Sequence, residues 1–589
     1  MDRDGVLTAR SVEGMIANGQ TIVIFEDVVL RLDSWLEKHP GGRLAILHMV
    51  GKDATDEMKA YHSAPTLKTM KAYRIGKKPT GPWINRTPPI RGGIYRECRE
   101  TAPASTADDD SDTDTEEDTA DDSLSCVSDH SSPTSLTTDC SSEDGIEEDT
   151  KPDLQAGIRR RIPSLRKEAV RGSLTTEELV ADVCASKKAT LPLMSPATYT
   201  EWAVLQEIDQ DTQEYPSVDP AVQQDIIRRY RAMHQRVHDE GFYECRYIEY
   251  GKDLVRFAAL FMVFLVALHY KWYMTSAAFL GIFWHQIMFT AHDAGHLAIT
   301  HNFVVDTLLG MFVADFCCGL SIGWWKSSHN VHHLITNQPE HDPDIQNVPL
   351  FATSPAFFKS IRSTYYDFTF VWDKVAEIMV PYQRYTYYPI MGIARFNLYL
   401  LSWLHVMSKK SSSLGGSKAW WIRPTEIAFM SCYWFIFGYC LLWRTLPTWT
   451  IRVLFVLLSH IITMPLHVQI TLSHWGMSTS ELGESESFPQ RQLRTTMDVD
   501  CPEWLDFIHG GLQFQAVHHL FPRVPRHNLR RLQVLVKEFC QDTGIPYSIL
   551  SFADGNLKVL GRLEEVGDQV KILVSCQKYM AETGESGLH

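Results

Sequence analysis

Four apolar stretches, roughly 254–270, 273–290, 426–443 and 451–473, each approach the ~20 residues that cross a bilayer as a helix. They pair as two hairpins, because the links inside each pair are short: Lys271-Trp272 in the first, Arg444 to Thr450 in the second. This predicts an all-α membrane domain over 251–550 with about four transmembrane helices in two hairpins. The long connections carry Lys409, Lys410, Lys418 and Arg423, so the positive-inside rule places them, and both chain ends, in the cytosol. The run 297–325 is also apolar, but Asp306 and Asp315 interrupt it, and ionised carboxylates at bilayer depth are costly. An interfacial or re-entrant pair of helices is expected there. A fifth span, the alternative, would put two histidine clusters on opposite sides of the membrane.

Whole-chain averages hide this organisation. A net charge of −15 and a mean hydropathy of −0.16 describe an ordinary acidic soluble protein. Yet residues 101–150 hold 17 of the 71 acidic residues and none of the 56 basic ones, so the rest of the chain is close to neutral. The segment 100–155, rich in Asp, Glu, Ser and Thr, reads as a disordered acidic linker. Before it, residues 6–80 alternate β-branched runs (Ile22-Val23-Ile24-Phe25, Val28-Val29-Leu30) with helical patterns and turn residues, which predicts a compact α+β domain. After it, 156–250 reads as a cytosolic helical lead-in, with a helix capped by Asp219-Pro220 and ended by Gly241. Residues 551–589 read as a C-terminal tail. The opening MDRDGVLTAR has no apolar h-region, so no cleaved secretory signal is expected. The twelve Cys include no CxxC, which favours reduced thiols over a disulfide framework or a zinc knuckle. No nucleic-acid partner is expected.

Within the N-terminal domain, His39 sits in Lys38-His39-Pro40-Gly41-Gly42, and His62 follows Gly51-Lys52-Asp53-Ala54-Thr55. Either histidine alone is an ordinary turn residue. As a pair, each beside a helix, they can approach a flat cofactor from opposite faces. Imidazoles on both axial positions of a haem leave no site for O2, which suits single-electron transfer. With its HPGG and GKDAT motifs the segment resembles cytochrome b5, and the resemblance puts the axial ligands of haem b on His39 and His62. Asp53, Asp56 and Glu57 read either as part of an acidic docking rim for a reductase or as solvated helix-start carboxylates.

Three further histidine clusters follow the apolar runs: His292 and His296; His329, His332 and His333; and Gln515, His518 and His519. Spacings of three and four place imidazoles on one helical face. A set so rich in imidazole suits iron, zinc, copper or nickel and argues against calcium or magnesium. Seven histidines, with His474 available as an eighth, can serve two metals, whereas a structural zinc needs four ligands. No ExxH pair of the soluble di-iron bundles is seen on the membrane helices. With a haem carrier fused in front, iron is favoured over redox-inert zinc.

The contexts Trp324-Trp325-Lys326-Ser327-Ser328-HNVHH, Asn337 to Asp344, and His509 to Pro522 resemble those of the front-end desaturases that carry an N-terminal cytochrome b5 domain. In that family Gln replaces the first His of the third box, as Gln515 does here. The resemblance implies a cytosolic His-rich di-iron cap held by His292, His296, His329, His332, His333, His474, His518 and His519, with Gln515 as a ligand or its neighbour. His285, His301, His341 and His509 are left as structural or supporting histidines. It further implies an endoplasmic reticulum membrane enzyme that uses O2 and two non-haem iron ions. Electrons would come from NADH through a separate cytochrome b5 reductase, since the chain has no dinucleotide-binding fingerprint. Trp324 and Trp325 would line a substrate channel or anchor the domain at the interface.

Gln513-Phe514 and Ala516-Val517 replace the Asn-Tyr and Ile-Glu more common in acyl-chain members, and the chain is most similar to the fungal delta-8 sphingolipid desaturases. The implied reaction is a double bond at carbon 8 of the sphingoid base of a ceramide. The alternatives are a front-end fatty acyl desaturase of the delta-5 or delta-6 type, a cytochrome b5-fused di-iron lipid hydroxylase, and a non-catalytic membrane haem protein. The acidic segment is expected to tether the haem domain near its partner without fixing its orientation.

Overall fold

The computed structural model describes residues 3–97, 196–408 and 419–583. The acidic linker, the first part of the lead-in and Lys409, Lys410 and Lys418 lie outside them.

The N-terminal domain is built on a three-stranded antiparallel sheet in the order β1 (Ile22–Phe25), β2 (Val28–Arg31), β3 (Arg74–Lys77). Strand β1 is buried at every position because the sheet is covered on both faces. Ile22 and Ile24 pack on Val12 and Ile16 of helix α1 (Ala9–Ala17). Val23 and Phe25 point the other way, to Ala45, Ile46, Met49 and Ala54. Helix α2 (Thr55–Tyr61) then carries the chain to His62. This is the α+β fold read from the sequence.

The rest is helical. Helix α3 (Pro220–Asp239) starts as predicted, with the Asp219 carboxylate accepting from the Ala221 amide at 2.8 Å. Helices α4 (Tyr247–His269) and α5 (Tyr273–Gly295) form the first predicted hairpin. The predicted re-entrant segment is a bent pair: Phe303–Cys317 and α6 (Ile322–Leu334), at 115° to each other. The two acids in this run have local tasks. Asp306 accepts from the Thr300 amide and hydroxyl, and Asp315 accepts from the Ile322 amide at 2.8 Å. With Glu426, which accepts from the Ser321 hydroxyl and the Gly323 amide, Asp315 holds the start of α6.

Among the described residues, three helical stretches are long and apolar enough to cross a membrane: Lys374–Met407, Ile422–Thr445 and Trp449–Trp475, or four with the bent pair. The last two match the second predicted hairpin. The first, which ends in helix α7 (Gln383–Met407), is a correction, because the sequence reading had placed it in a connection. Its Tyr side chains, Arg384, Pro389 and Arg395 masked it; Arg395 is buried, donating to Cys318 O at 3.0 Å and Tyr399 Oη at 2.9 Å. The first predicted hairpin is not in this set. Lys252, Asp253 and Arg256 charge the first half of α4, and His285, Gln286, His292 and Asp293 interrupt the second half of α5. Helix α8 (Ile422–Trp434) begins the second span; α9 (Trp449–Ile461) and α10 (Met464–Trp475) form the third. Beyond them lie the shorter α11 (Phe488–Thr495) and α12 (Gln515–Leu520), followed by α13 (Arg526–Thr543).

The segment read as a tail is helix α14 (Phe552–Thr583). Its Val559, Leu563, Val566, Val570 and Leu573 form one buried stripe packed with Phe351, Tyr387, Val468 and Trp475. Thirty-two helical residues with such a stripe are part of the core.

The N-terminal domain is docked on the helical domain, and the expectation of an unfixed orientation is corrected. Leu334, the last residue of α6, joins the buried cluster of the N-terminal domain that includes Phe25 and Ala45. Lys52 Nζ reaches Glu484 Oε2 at 2.7 Å, and Arg91 reaches Glu484 Oε1 at 3.1 Å. Asp56 and Glu57 are buried in this contact, so they form no exposed acidic rim.

Candidate functional site

Two sites lie next to each other. The first is a cavity of about 360 Å³ between His39 and His62. The imidazole centroids are 5.9 Å apart across it. His39 Nδ1–H donates to Gly42 O and His62 Nδ1–H to Met58 O, both at 2.9 Å, which turns each Nε2 away from its own backbone. Burial, opposed for His39 by the Gly42 carbonyl, holds His39 below the usual imidazole range. Burial, followed by the facing His39, holds His62 down to about 3. Both rings are therefore neutral at physiological pH. The HPGG turn is tight against the ring: a Cβ on Gly41 would lie 2.8 Å from His39 Cε1, and Gly42 has φ +86°. Walls of Val23, Leu32, Ala45, Ile46 and Met58 are apolar. These residues fit a haem with two axial imidazoles.

The second site gathers the other predicted histidines. His292 lies in the last turn of α5 and His296 just past its end; His329, His332 and His333 lie on α6, His474 on α10, and Gln515, His518 and His519 on α12. They meet in two groups whose ligand atoms lie within 4.8 Å of one another: His292, His296, His329 and His518, and His332, His474 and His519. A further group joins His329 and His332 to Asp344. His333 bridges the two main groups, stacked at 4.0 Å on His519 with its Nε2 3.0 Å from His329 Nε2. His296 Nε2 and His518 Nε2 are 3.2 Å apart. A cation shared between such nitrogens relieves their close approach.

The donor set fits metal ions by its orphaned atoms. His292 Nε2, His474 Nε2, His519 Nε2 and Gln515 Oε1 are buried without a hydrogen-bond partner. The opposite nitrogens are held: His332 Nδ1 by Asp342 Oδ2 at 2.9 Å, His519 Nδ1 by Gln492 Oε1 at 2.8 Å, and His474 Nδ1 by Thr495 O at 3.4 Å. Such contacts set the tautomer and leave Nε2 as the nitrogen that would hold a metal. Burial, reinforced by neighbouring imidazoles, keeps His518 and His519 well below the usual range, so their lone pairs are available.

The sequence reading missed Gln492, which no motif announces. Asp342 lies in the stretch Asn337 to Asp344, whose sequence by itself assigns it no role. Trp325 lies on His329 with ring centroids 4.3 Å apart and explains Gly295 of HDAGH, where a Cβ would meet Trp325 Cζ3 at 2.1 Å. The four supporting histidines stay outside the groups. His509 Nδ1 faces Gln469 Oε1, His341 Nδ1 faces Thr364 Oγ1, His301 faces backbone carbonyls and His285 Nδ1 faces Gln286 Nε2.

The sites share a wall, because His296 lines the cavity that holds His39 and His62. Tyr61, next to His62, stands edge-on to His333 with ring centroids 6.1 Å apart.

Comparison with known proteins agrees with this division. Residues 9–78 match the family described as Cytochrome b5-like Heme/Steroid binding domain, and residues 270–551 match Fatty acid desaturase. A Delta 8-(E)-sphingolipid desaturase of Emericella nidulans is 47% identical over 587 residues, covering 100% of this chain and 99% of its own length. One from Candida albicans is 43% identical over 585 residues, covering 98% of each. A Delta(8)-fatty-acid desaturase of Helianthus annuus is 36% identical over 360 residues, covering 60% of this chain and 76% of its own.

Proposed function

Because the chain belongs to the fatty acid desaturase family and carries a fused cytochrome b5-like domain, we propose that it is an O2-dependent desaturase placing an E double bond at carbon 8 of the sphingoid base of a ceramide. The observation that carries this reading is the shared wall: one histidine, His296, both lines the two-imidazole cavity and belongs to a four-imidazole group. An electron carrier and an oxidising centre are thus adjacent within one chain.

His39 and His62 would hold haem b. His292, His296, His329 and His518 would hold one iron, and His332, His474 and His519 the other, with Gln515 and His333 beside them. When bound, these groups supply the one-electron and O2 chemistry that no side chain provides. The protein's own contribution is to keep the imidazoles aimed and dry. Asp342 and Gln492 fix the orientation of His332 and His519, and Trp325 covers His329. The reducing equivalents would come from NADH through a separate cytochrome b5 reductase. The N-terminus and the histidine groups would face the cytosol at the endoplasmic reticulum membrane.

The test is expression in a host lacking the activity, followed by mass spectrometry of its sphingoid bases and fatty acids. New unsaturation at carbon 8 of the sphingoid base is expected. Unsaturation confined to acyl chains would refute the substrate, and a hydroxylated product would refute the reaction.

A further inference from the structure

The cavity between His39 and His62 is not closed by its own domain. Its far wall comes from the helical domain, including Leu297, His301, Phe303, Lys326, Asn330 and Arg523. Two of these are cations, and among the described residues neither forms an ion pair with a carboxylate. Arg523 lies over the Tyr243 ring at 5.8 Å, and one of its Nη atoms is 3.4 Å from His301 Nδ1. That histidine gives it no negative partner, since both of its ring nitrogens already face backbone carbonyls at 2.8 Å. Lys326 Nζ lies 5.5 Å over the Phe303 ring. The single carboxyl in the lining is Glu57, which burial pushes up to about 7.

Half-buried cations without a directly paired carboxylate are costly unless an anion joins them; for Lys326, burial outweighs the more distant charges of Asp306 and Glu426 and holds its ammonium down to about 8. The group that fits between His39 and His62 brings two: haem b carries two propionate carboxylates on one edge. Guanidinium and ammonium groups bind carboxylates through short, charge-assisted hydrogen bonds. We infer that Lys326 and Arg523, both from the helical domain, bind the haem carboxylates, so that the haem site is shared between the two domains. This rests on the reading of the cavity as a haem site. It makes haem retention and redox potential depend on residues more than 260 positions from His62.

The experiment uses the full chain, purified in detergent and loaded with haem or with haem dimethyl ester, which lacks the carboxylate charges. The variants are Arg523→Gln, Lys326→Gln and both together. Haem midpoint potential and the rate of haem loss to excess apomyoglobin are read, with non-haem iron content as the check on folding. Each variant is expected to lower the potential, because removing a nearby cation favours the ferric state, and to release haem about tenfold faster. In haem loss the unaltered protein carrying the diester should behave like the double variant, and the double variant should be indifferent to esterification; the potential should instead rise on esterification, because the diester removes negative charge near the iron. If esterification speeds haem loss from the double variant as much as from the unaltered protein, the inference is overturned. Should Arg523→Gln lose its iron, Lys326→Gln and the charge-conserving Arg523→Lys are compared in its place: the first should shift and the second should not. Absence of a bis-imidazole haem spectrum in the unaltered protein would instead overturn the haem reading itself.

Discussion

Arg231 Nε lies 2.7 Å from Asp56 Oδ1, and its Nη2 lies 3.2 Å from Asp56 Oδ2, a two-pronged ion pair from α3 of the helical domain to α2 of the haem-type domain. Asp56 is buried, so this pair helps to fix which face of the small domain meets the large one. Arg231→Ala should weaken docking by about 2 kcal/mol, in the range of hydrogen bonds to charged groups. Faster protease cleavage between the domains would register it. The swap Asp56→Arg with Arg231→Asp should recover part of the loss.

Gly295→Ala should damage the metal groups directly. The new methyl would stand 2.1 Å from Trp325 Cζ3, and Trp325 covers His329. Overpacking of this kind costs about 1–3 kcal/mol. Non-haem iron per chain and melting temperature should both fall, and Gly295→Ala with Trp325→Leu should restore part of each.

Gln492→Ala and Asp342→Ala leave every imidazole in place but remove the acceptors that hold His519 and His332. Loss of such supporting contacts typically costs about 10–100-fold in metal affinity or activity. Iron titration should show the loss in affinity while the haem spectrum stays unchanged.

His39→Ala should remove the bis-imidazole haem spectrum and abolish turnover, leaving non-haem iron bound, because His39 belongs to neither main histidine group. Full turnover by this variant without added free cytochrome b5 would contradict the fused carrier's role.

Glu57 gives a pH signature. Burial raises its pKa from 4.5 to about 7, against the opposing charge of Lys52. A group whose folded pKa is raised adds stability that is fully present below pH 4.5 and is lost as pH rises through about 7. Melting temperatures of the unaltered protein and Glu57→Gln, compared across that window, should show the unaltered protein's relative advantage declining with pH and levelling off above it.

Several parts of this molecule were legible because their signals are local. The HPGG turn, the cap at Asp219 and the i, i+4 histidines need only neighbouring residues. The C-terminal helix was legible in principle, since Val559, Leu563, Val566, Val570 and Leu573 recur every three or four residues. Helix α7 was hidden by its tyrosines and Arg395, polar groups that find partners only inside the folded bundle. Gln492 had no signal, because its task depends on α11 packing beside α12.

Residue identity by itself determined which side chains can bind haem and metal, since histidine chemistry and helical spacing are properties of short segments. Only the tertiary structure decided how those ligands are shared out. It divided the histidines into two groups, brought His474 to His332 and His519, and turned Asp56 and Glu57 inward. It also made His296 a wall of the haem cavity. Each of these depends on contacts between residues far apart in the chain, which burial and close packing select and no local pattern encodes.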